Sequence, residues 1–115
     1  MKDERIPELY IDDILESIDQ IKEYTGNLSD KNKFFEDEMV RDAVIRRIEI
    51  IGEAIRNFDD NFRTKFSSVP WKQIIAMRNM LIHEYFGVEI DRVWKVVEIE
   101  IPKLEKMIFE IKKHL

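Results

Sequence analysis

VRDAVIRRIEIIGEAIRNF, residues 40–58, is the stretch of sequence that decides the fold. Its apolar residues recur at intervals of three and four, the spacing that places side chains on one face of an α-helix. They are Val40, Val44, Ile48, Ile51, Ile55 and Phe58. The pattern predicts a long amphipathic helix from about Phe34 to Phe58. Because Gly52 weakens that helix by roughly 1 kcal/mol relative to alanine, we interpret it as a point of close approach by another helix.

The sequence before this stretch predicts a first helix from about Pro7 to Tyr24. Proline suits the start of a helix, since its missing backbone donor has no partner there. An apolar stripe follows it, formed by Ile11, Ile14, Leu15, Ile18 and Ile21. Gly26 is placed to end the helix, because glycine adopts the left-handed cap conformation easily. A polar loop over residues 27–32 is expected to follow.

Two further helices are predicted in the second half of the chain. The third begins near Pro70 and ends between residues 83 and 87, and the last begins at a cap formed by Asp91. Pro102 lies inside the last helix and should kink it, because proline removes one backbone hydrogen bond. Short loops between amphipathic helices favour an all-α, antiparallel bundle of four to five helices, with residues 1–115 forming a single domain.

Composition excludes several classes of protein. The chain has 115 residues, of which 44% are hydrophobic and 37% charged, too apolar for disorder and too charged for a membrane protein. Its longest apolar run, residues 74–77, is far shorter than the roughly 20 residues of a membrane-spanning helix. Cysteine is absent, which excludes disulfides and thiol nucleophiles. We expect a cytoplasmic protein that does not associate with membranes.

Charge is unevenly distributed along the chain. No acidic residue lies between Asp60 and Glu84, an interval that contains Arg63, Lys65, Lys72 and Arg78. This interval carries +4 against −9 for the remainder, which together give the net charge of −5. The interval is a candidate anion site, and chance clustering remains the alternative. Arg63, Lys65 and Lys72 are candidates for contacting an anion, although surface solubility is the favoured explanation for each of them singly.

The segment RNMLIHEY, residues 78–85, concentrates the chemically capable side chains. The planar guanidinium of Arg78 can form two parallel hydrogen bonds to phosphate oxygens, and His83 can transfer protons near neutral pH. Neither histidine has the glutamate three residues earlier that is typical of metal sites in helical bundles, so no metal or other cofactor is expected. The alternative is a structural role, with a packed histidine and a surface arginine.

Helix geometry restricts how these side chains can cooperate. Asn79 and His83 are four residues apart and share a face, so Asn79 could orient His83. Arg78 and His83 diverge by about 140° on a straight helix. They could bind the same phosphate only if the helix is distorted or if a twofold dimer brings these side chains of two chains together.

The arrangement Arg-Asn-x-x-x-His at 78–83 resembles the signature of HEPN-domain ribonucleases, and residues 77–85 resemble the HepT toxins of HepT–MntA toxin–antitoxin systems. The similarity extends to residues 41–44 and 50–54 of the second predicted helix. Trp71 also fits the family, as does Trp94 with the Ile-Pro-x-Leu segment 101–104. The similarity covers most of the chain, and the motif itself shows no departure.

The resemblance implies a HEPN-like bundle that dimerises around its active cleft and cleaves RNA without a metal. It assigns Arg78 and His83 to catalysis, supported by Asn79, which could orient His83 or the ribose. With RNA as the substrate, Arg63, Lys65 and Lys72 become candidates for contacting its backbone. It also implies an MntA-like nucleotidyltransferase antitoxin that silences the toxin by transferring AMP to Tyr85, for which simple packing is the alternative. A second interpretation stays open, in which the bundle is a non-catalytic binding subunit of a minimal nucleotidyltransferase.

Overall fold

The computed structural model describes residues 6–83 and 90–115, and this part of the chain is helical without any strand. Four helical stretches build the bundle. They are α1 (Pro7–Tyr24), α3 (Glu38–Arg56), α5 (Trp71–His83) and a composite last helix made of α6 (Ile90–Lys95), a π-helical turn (Val96–Glu100) and α7 (Ile101–Lys113). Two short helices, α2 (Lys31–Glu36) and α4 (Asp60–Lys65), lie in the connections. The predicted all-α bundle is confirmed.

The first helix has the predicted bounds, and the connection after it is tightly organised. Thr25 caps α1 by donating from its hydroxyl to the Ile21 carbonyl at 2.7 Å. Gly26 follows with φ +58°, as expected of a residue beyond a helix end. The predicted polar loop is shorter than residues 27–32, since α2 already begins at Lys31.

The predicted second helix is two helices. Asp37 adopts an extended conformation, and its carboxylate accepts hydrogen bonds from the backbone N–H groups of Met39 and Val40. A short polar side chain that binds nearby backbone donors competes with helical hydrogen bonding. Asp37 therefore ends α2 and caps α3, so the prediction of one continuous helix from Phe34 was wrong.

Aromatic packing places the start of α5. The rings of Phe58, Phe62, Phe66 and Trp71 form one cluster, in which Phe58 and Phe62 stack with centroids 4.3 Å apart. The Trp71 indole N–H donates to the carbonyls of Phe66 (3.1 Å) and Arg63 (3.2 Å). The intervening helix α4 was not predicted, and α5 begins at Trp71, directly after Pro70.

The last helix is irregular at the position that Pro102 predicted. The π-helical turn Val96–Glu100 ends with the Ile101 N–H donating to the Val96 carbonyl, five residues back. Such turns let a helix absorb a break in its regular bonding. Asp91 lies in the first turn of α6, which begins at Ile90, rather than at the predicted cap.

The core is formed mainly by α1, α3 and the last helix, and α5 contributes least. Eight of its most buried side chains are Ile11, Ile14, Ile18, Phe34, Val44, Ile55, Val97 and Ile108. Within α5 only Trp71 and Leu81 are buried, while Ile74 and Met77 stay half-buried. These two residues line a groove of about 260 Å³ between α5 and α7, together with Leu104 and Met107. None of the helices in the described ranges is long and apolar enough to span a membrane.

Candidate active site

The site is built where α5 packs against α3 at Gly52. A Cβ atom placed on Gly52 would collide with the side chain of Arg78, lying 2.9 Å from its Cβ and 3.0 Å from its Cδ. Real Cβ atoms essentially never approach so closely. The expected close approach of another helix is therefore confirmed, and the atoms that occupy the space are those of the candidate catalytic arginine.

The guanidinium of Arg78 is held from two sides. Its Nη1 donates to the side-chain oxygen of Asn79 at 2.7 Å, and its Nη2 lies 3.6 Å from a carboxylate oxygen of Glu53 on α3. The side chain is 13% exposed, so the charged group is nearly enclosed by the protein. Each Nη atom carries two hydrogens, so one on each is not used by the contacts with Asn79 and Glu53.

The Nε atom of Arg78 is buried and has no hydrogen-bond partner among the described residues. A buried donor without a partner costs free energy, about 1–3 kcal/mol for an uncharged group and more for a charged one. Such groups in folded proteins often mark a functional constraint. The position of Arg78 is therefore imposed by packing around Gly52.

His83 lies apart from this arginine. It is the last residue of α5 and is exposed to solvent, whereas Arg78 faces α3. Because α5 runs without interruption from Trp71 to His83, the expected divergence of about 140° between the two side chains holds within one chain. Asn79 lies on the same helix, and among the described residues its side chain accepts a hydrogen bond from Arg78 rather than contacting His83. Tyr85 lies outside the described residues.

The three remaining candidates lie at the opposite end of α5. Arg63 donates from Nη2 to the Ile55 carbonyl at 3.0 Å, a bond that ties α4 to the end of α3. Lys65 and Lys72 are exposed, and Lys65 lies over the Phe66 ring at 5.4 Å. Trp71 and His83 are twelve residues apart, which corresponds to about 18 Å along a helix. The structure thus separates these cations from the Arg78–His83 region.

Sequence reasoning missed Glu53 as a member of the site. Residues 50–54 entered the sequence analysis only as part of a family pattern. A glycine inside a helix followed by an acidic residue is the signal that could have indicated a packing site for a cationic side chain. Elsewhere in the described ranges, no three His, Asp or Glu side chains are grouped as ligands for a metal ion.

Fold and site together define a class of helical-bundle proteins with an enclosed arginine and an exposed histidine on one helix. The sequence model of the family described as "Ribonuclease HepT-like" matches residues 14–111. The chain therefore belongs to the HepT-like ribonuclease family, and this membership supports a ribonuclease role.

Several relatives agree with this assignment. The chain is 46% identical over 97 residues to "Putative RNase MJ1380" of Methanocaldococcus jannaschii, covering 84% of the chain and 88% of that protein. It is 38% identical over 104 residues to "Probable ribonuclease HepT" of Thermococcus cleftensis, covering 90% and 94%.

A third relative is longer than this chain. "Gamma-glutamylcyclotransferase and putative RNase MJ0434" of M. jannaschii is 48% identical over 107 residues. The match covers 93% of this chain and spans about half (48%) of that protein's length. No solved structure matches the chain significantly.

The contact between Gly52 and Arg78 predicts a specific coupling of stability. Gly52→Ala should lower the free energy of unfolding by about 1–3 kcal/mol, because overpacking outweighs the gain of about 1 kcal/mol in helix propensity. In an Arg78→Ala background the penalty should shrink by about 1 kcal/mol or more, since the colliding Cγ and Cδ are gone. Urea unfolding of the four proteins measures the cycle. Equal penalties in both backgrounds would contradict the packing described here.

Proposed function

We propose that this protein is a metal-independent endoribonuclease and the toxin of a toxin–antitoxin pair. The observation that carries the proposal is the nearly enclosed guanidinium of Arg78, which is held by Asn79 and Glu53 and keeps hydrogens for an anion. Membership of a ribonuclease family supports RNA phosphate as that anion. His83, exposed at the end of the same helix, supplies the group that transfers protons.

RNA carries its own nucleophile, so the protein needs no metal-bound water. The ribose 2′-oxygen attacks the adjacent phosphorus and loses its proton, the bond from phosphorus to the 5′-oxygen breaks, and the departing oxygen gains a proton. The products are a 2′,3′-cyclic phosphate and a 5′-hydroxyl. His83 moves a proton in this step, and Arg78 stabilises the added negative charge on the phosphoryl oxygens. Asn79 keeps the guanidinium in position.

A homodimer completes the site in this proposal. Arg78 and His83 point in different directions on one α5, so a single chain does not bring both to one phosphate. Helix α5 also leaves Ile74 and Met77 only half-buried beside the groove with α7, as expected of a surface that a second copy covers. A twofold axis near α5 places the arginine of one protomer beside the histidine of its partner.

Silencing by a nucleotidyltransferase follows from the position of Tyr85. The HepT resemblance supports the proposal that the AMP acceptor is the tyrosine two residues after the proposed catalytic histidine. The phenolic oxygen attacks the α-phosphorus of ATP, pyrophosphate leaves, and a base in the MntA-like partner takes the proton. The attached AMP adds bulk and negative charge close to His83. Both effects oppose the binding of an RNA phosphate.

RNA cleavage should persist in EDTA and fail when either catalytic side chain is removed. We expect His83→Ala and Arg78→Ala to lower the cleavage rate by at least 100-fold, the scale of a lost proton-transfer group or charge stabiliser. Arg46→Ala is the matched control, because Arg46 is an exposed arginine on α3 whose ion pair is with Glu49. Circular dichroism should show unchanged helicity. Wild-type cleavage by His83→Ala would favour the non-catalytic binding subunit instead.

The shared cleft makes a prediction about mixed subunits. Light scattering should give about twice the monomer mass of 13.9 kDa, and Met77→Glu should shift the protein toward monomer. Met39→Glu, a change at a side chain that is already 80% exposed, is the control. Refolding Arg78→Ala together with His83→Ala should restore cleavage, since one cleft of the heterodimer holds both native residues. Failure to restore it, or a stable wild-type monomer, would rule out a site shared between protomers.

Tyr85 should be the residue that accepts AMP. Incubation with an MntA-like nucleotidyltransferase and ATP should add whole AMP units, visible by intact mass, and abolish RNA cleavage. Tyr85→Phe removes only the acceptor oxygen, so this variant should keep its fold and cleavage activity and resist labelling. Tyr24→Phe is the matched control and should be labelled normally. Labelling of Tyr85→Phe at Tyr10 or Tyr24 would overturn the assignment.

A further inference from the structure

A second polar groove lies at the end of the bundle away from His83. The segment that joins α4 to α5 and the last turns of α7 enclose a space of about 630 Å³. Its polar lining includes Lys65, Ser67, Ser68, Lys106 and His114. Ser67 also lines a neighbouring open space of about 540 Å³ beside the start of α5, where Lys72 contributes a further cation. We call the two spaces together the basal groove.

The cations of the basal groove are free to meet a ligand. Among the described residues, neither Lys65 nor Lys106 has a carboxylate partner within ion-pair distance. The carboxylate of Glu110, which also lines the groove, is paired with Lys113 at 3.3 Å. Asp60 contributes the other acidic group, at the far end of the groove. The groove is therefore locally basic on a chain whose net charge is −5.

The opposite charge is concentrated on another face of the bundle. Five exposed acidic side chains follow one stripe of α1, at positions 8, 12, 16, 19 and 23. Helix α1 packs against α3 and α7, whereas the groove is formed by the α4–α5 connection and the end of α7. A polyanion is repelled by the α1 stripe and attracted to the basal groove, so the charge distribution favours one path over the protein surface.

The other groups in the groove suit single-stranded nucleic acid. Serine hydroxyls donate hydrogen bonds to phosphate oxygens and to ribose. Phe66 is half-buried at the groove and carries an aromatic ring beside Lys65. A positively charged groove with aromatic side chains is the usual combination in proteins that bind single-stranded nucleic acid without strict sequence preference.

We infer that the basal groove binds the backbone of the RNA substrate several nucleotides away from the bond that is cleaved. The inference rests on the proposed ribonuclease function and adds a second binding site to it, with Lys65 and Lys106 as its main phosphate contacts. Helix α5 runs for about 18 Å from the groove to His83. An RNA strand long enough to span this distance contacts both sites at once, while a dinucleotide reaches only the catalytic one.

The test compares two pairs of lysines in a protein that cannot cleave. In the His83→Ala background, Lys65→Gln with Lys106→Gln removes two positive charges from the groove. Lys31→Gln with Lys95→Gln removes two exposed positive charges elsewhere and serves as the matched control. Fluorescence anisotropy with a labelled single-stranded RNA gives the affinity over a range of KCl concentrations.

Each phosphate contact to a single strand contributes about 0.7 to the slope of log affinity against log salt. The groove pair should therefore reduce the slope by about 1.4 and weaken binding about 25-fold at 0.1 M salt. The control pair should leave both values close to those of the His83→Ala parent. Equal effects of the two pairs, or no effect of either, would overturn the inference.

Cleavage by the otherwise native protein separates the two sites. Lys65→Gln with Lys106→Gln should lower kcat/KM for a long RNA at least tenfold and leave the cleavage rate of a dinucleotide unchanged. An equal loss on both substrates would show that the lysines act on the fold or the catalytic site, contrary to the inference. Absence of any RNA cleavage by the wild-type protein would instead overturn the proposed function, and this inference with it.

Discussion

The packing of α5 onto α3 at Gly52 is the contact on which the candidate active site depends. Without a side chain at position 52, the stem of Arg78 fits against the backbone of α3, and its guanidinium comes within reach of Glu53. The glycine weakens α3 locally. Because it has no side chain, Arg78 packs closely against α3 and is held in position rather than solvated. An arginine held in this way loses little conformational freedom when it binds an anion, which favours a catalytic over a merely electrostatic role.

The same packing explains why α5 is the least buried of the main helices. It is anchored at its start by Trp71, which joins an aromatic cluster and donates to two carbonyls, and it is buried again at Leu81. Between these points its apolar residues border an open groove rather than a packed neighbour. The helix that carries Arg78 and His83 is thus fixed on one side and available on the other. This arrangement fits the proposed site that a second protomer completes.

The main features of the fold were predictable because they depend on local periodicity. The apolar repeats in residues 7–24 and 40–58 gave helices close to those observed, and Pro102 marked the irregular part of the last helix. The errors arose where single side chains override that pattern. Asp37 caps a new helix within an apparently continuous repeat, and α4 depends on an aromatic cluster whose members meet only after the chain has folded.

The sequence by itself determined the class of fold, the family and the side chains capable of chemistry, because helical periodicity and a short motif are properties of nearby residues. Only the tertiary structure decided which of those side chains are held together. It joined Arg78 to Gly52 and Glu53, which lie 26 and 25 positions earlier on another helix. It also placed Lys65 and Lys106 along one groove. Contacts between distant helices depend on how their faces pack, and no local pattern in the sequence specifies that packing.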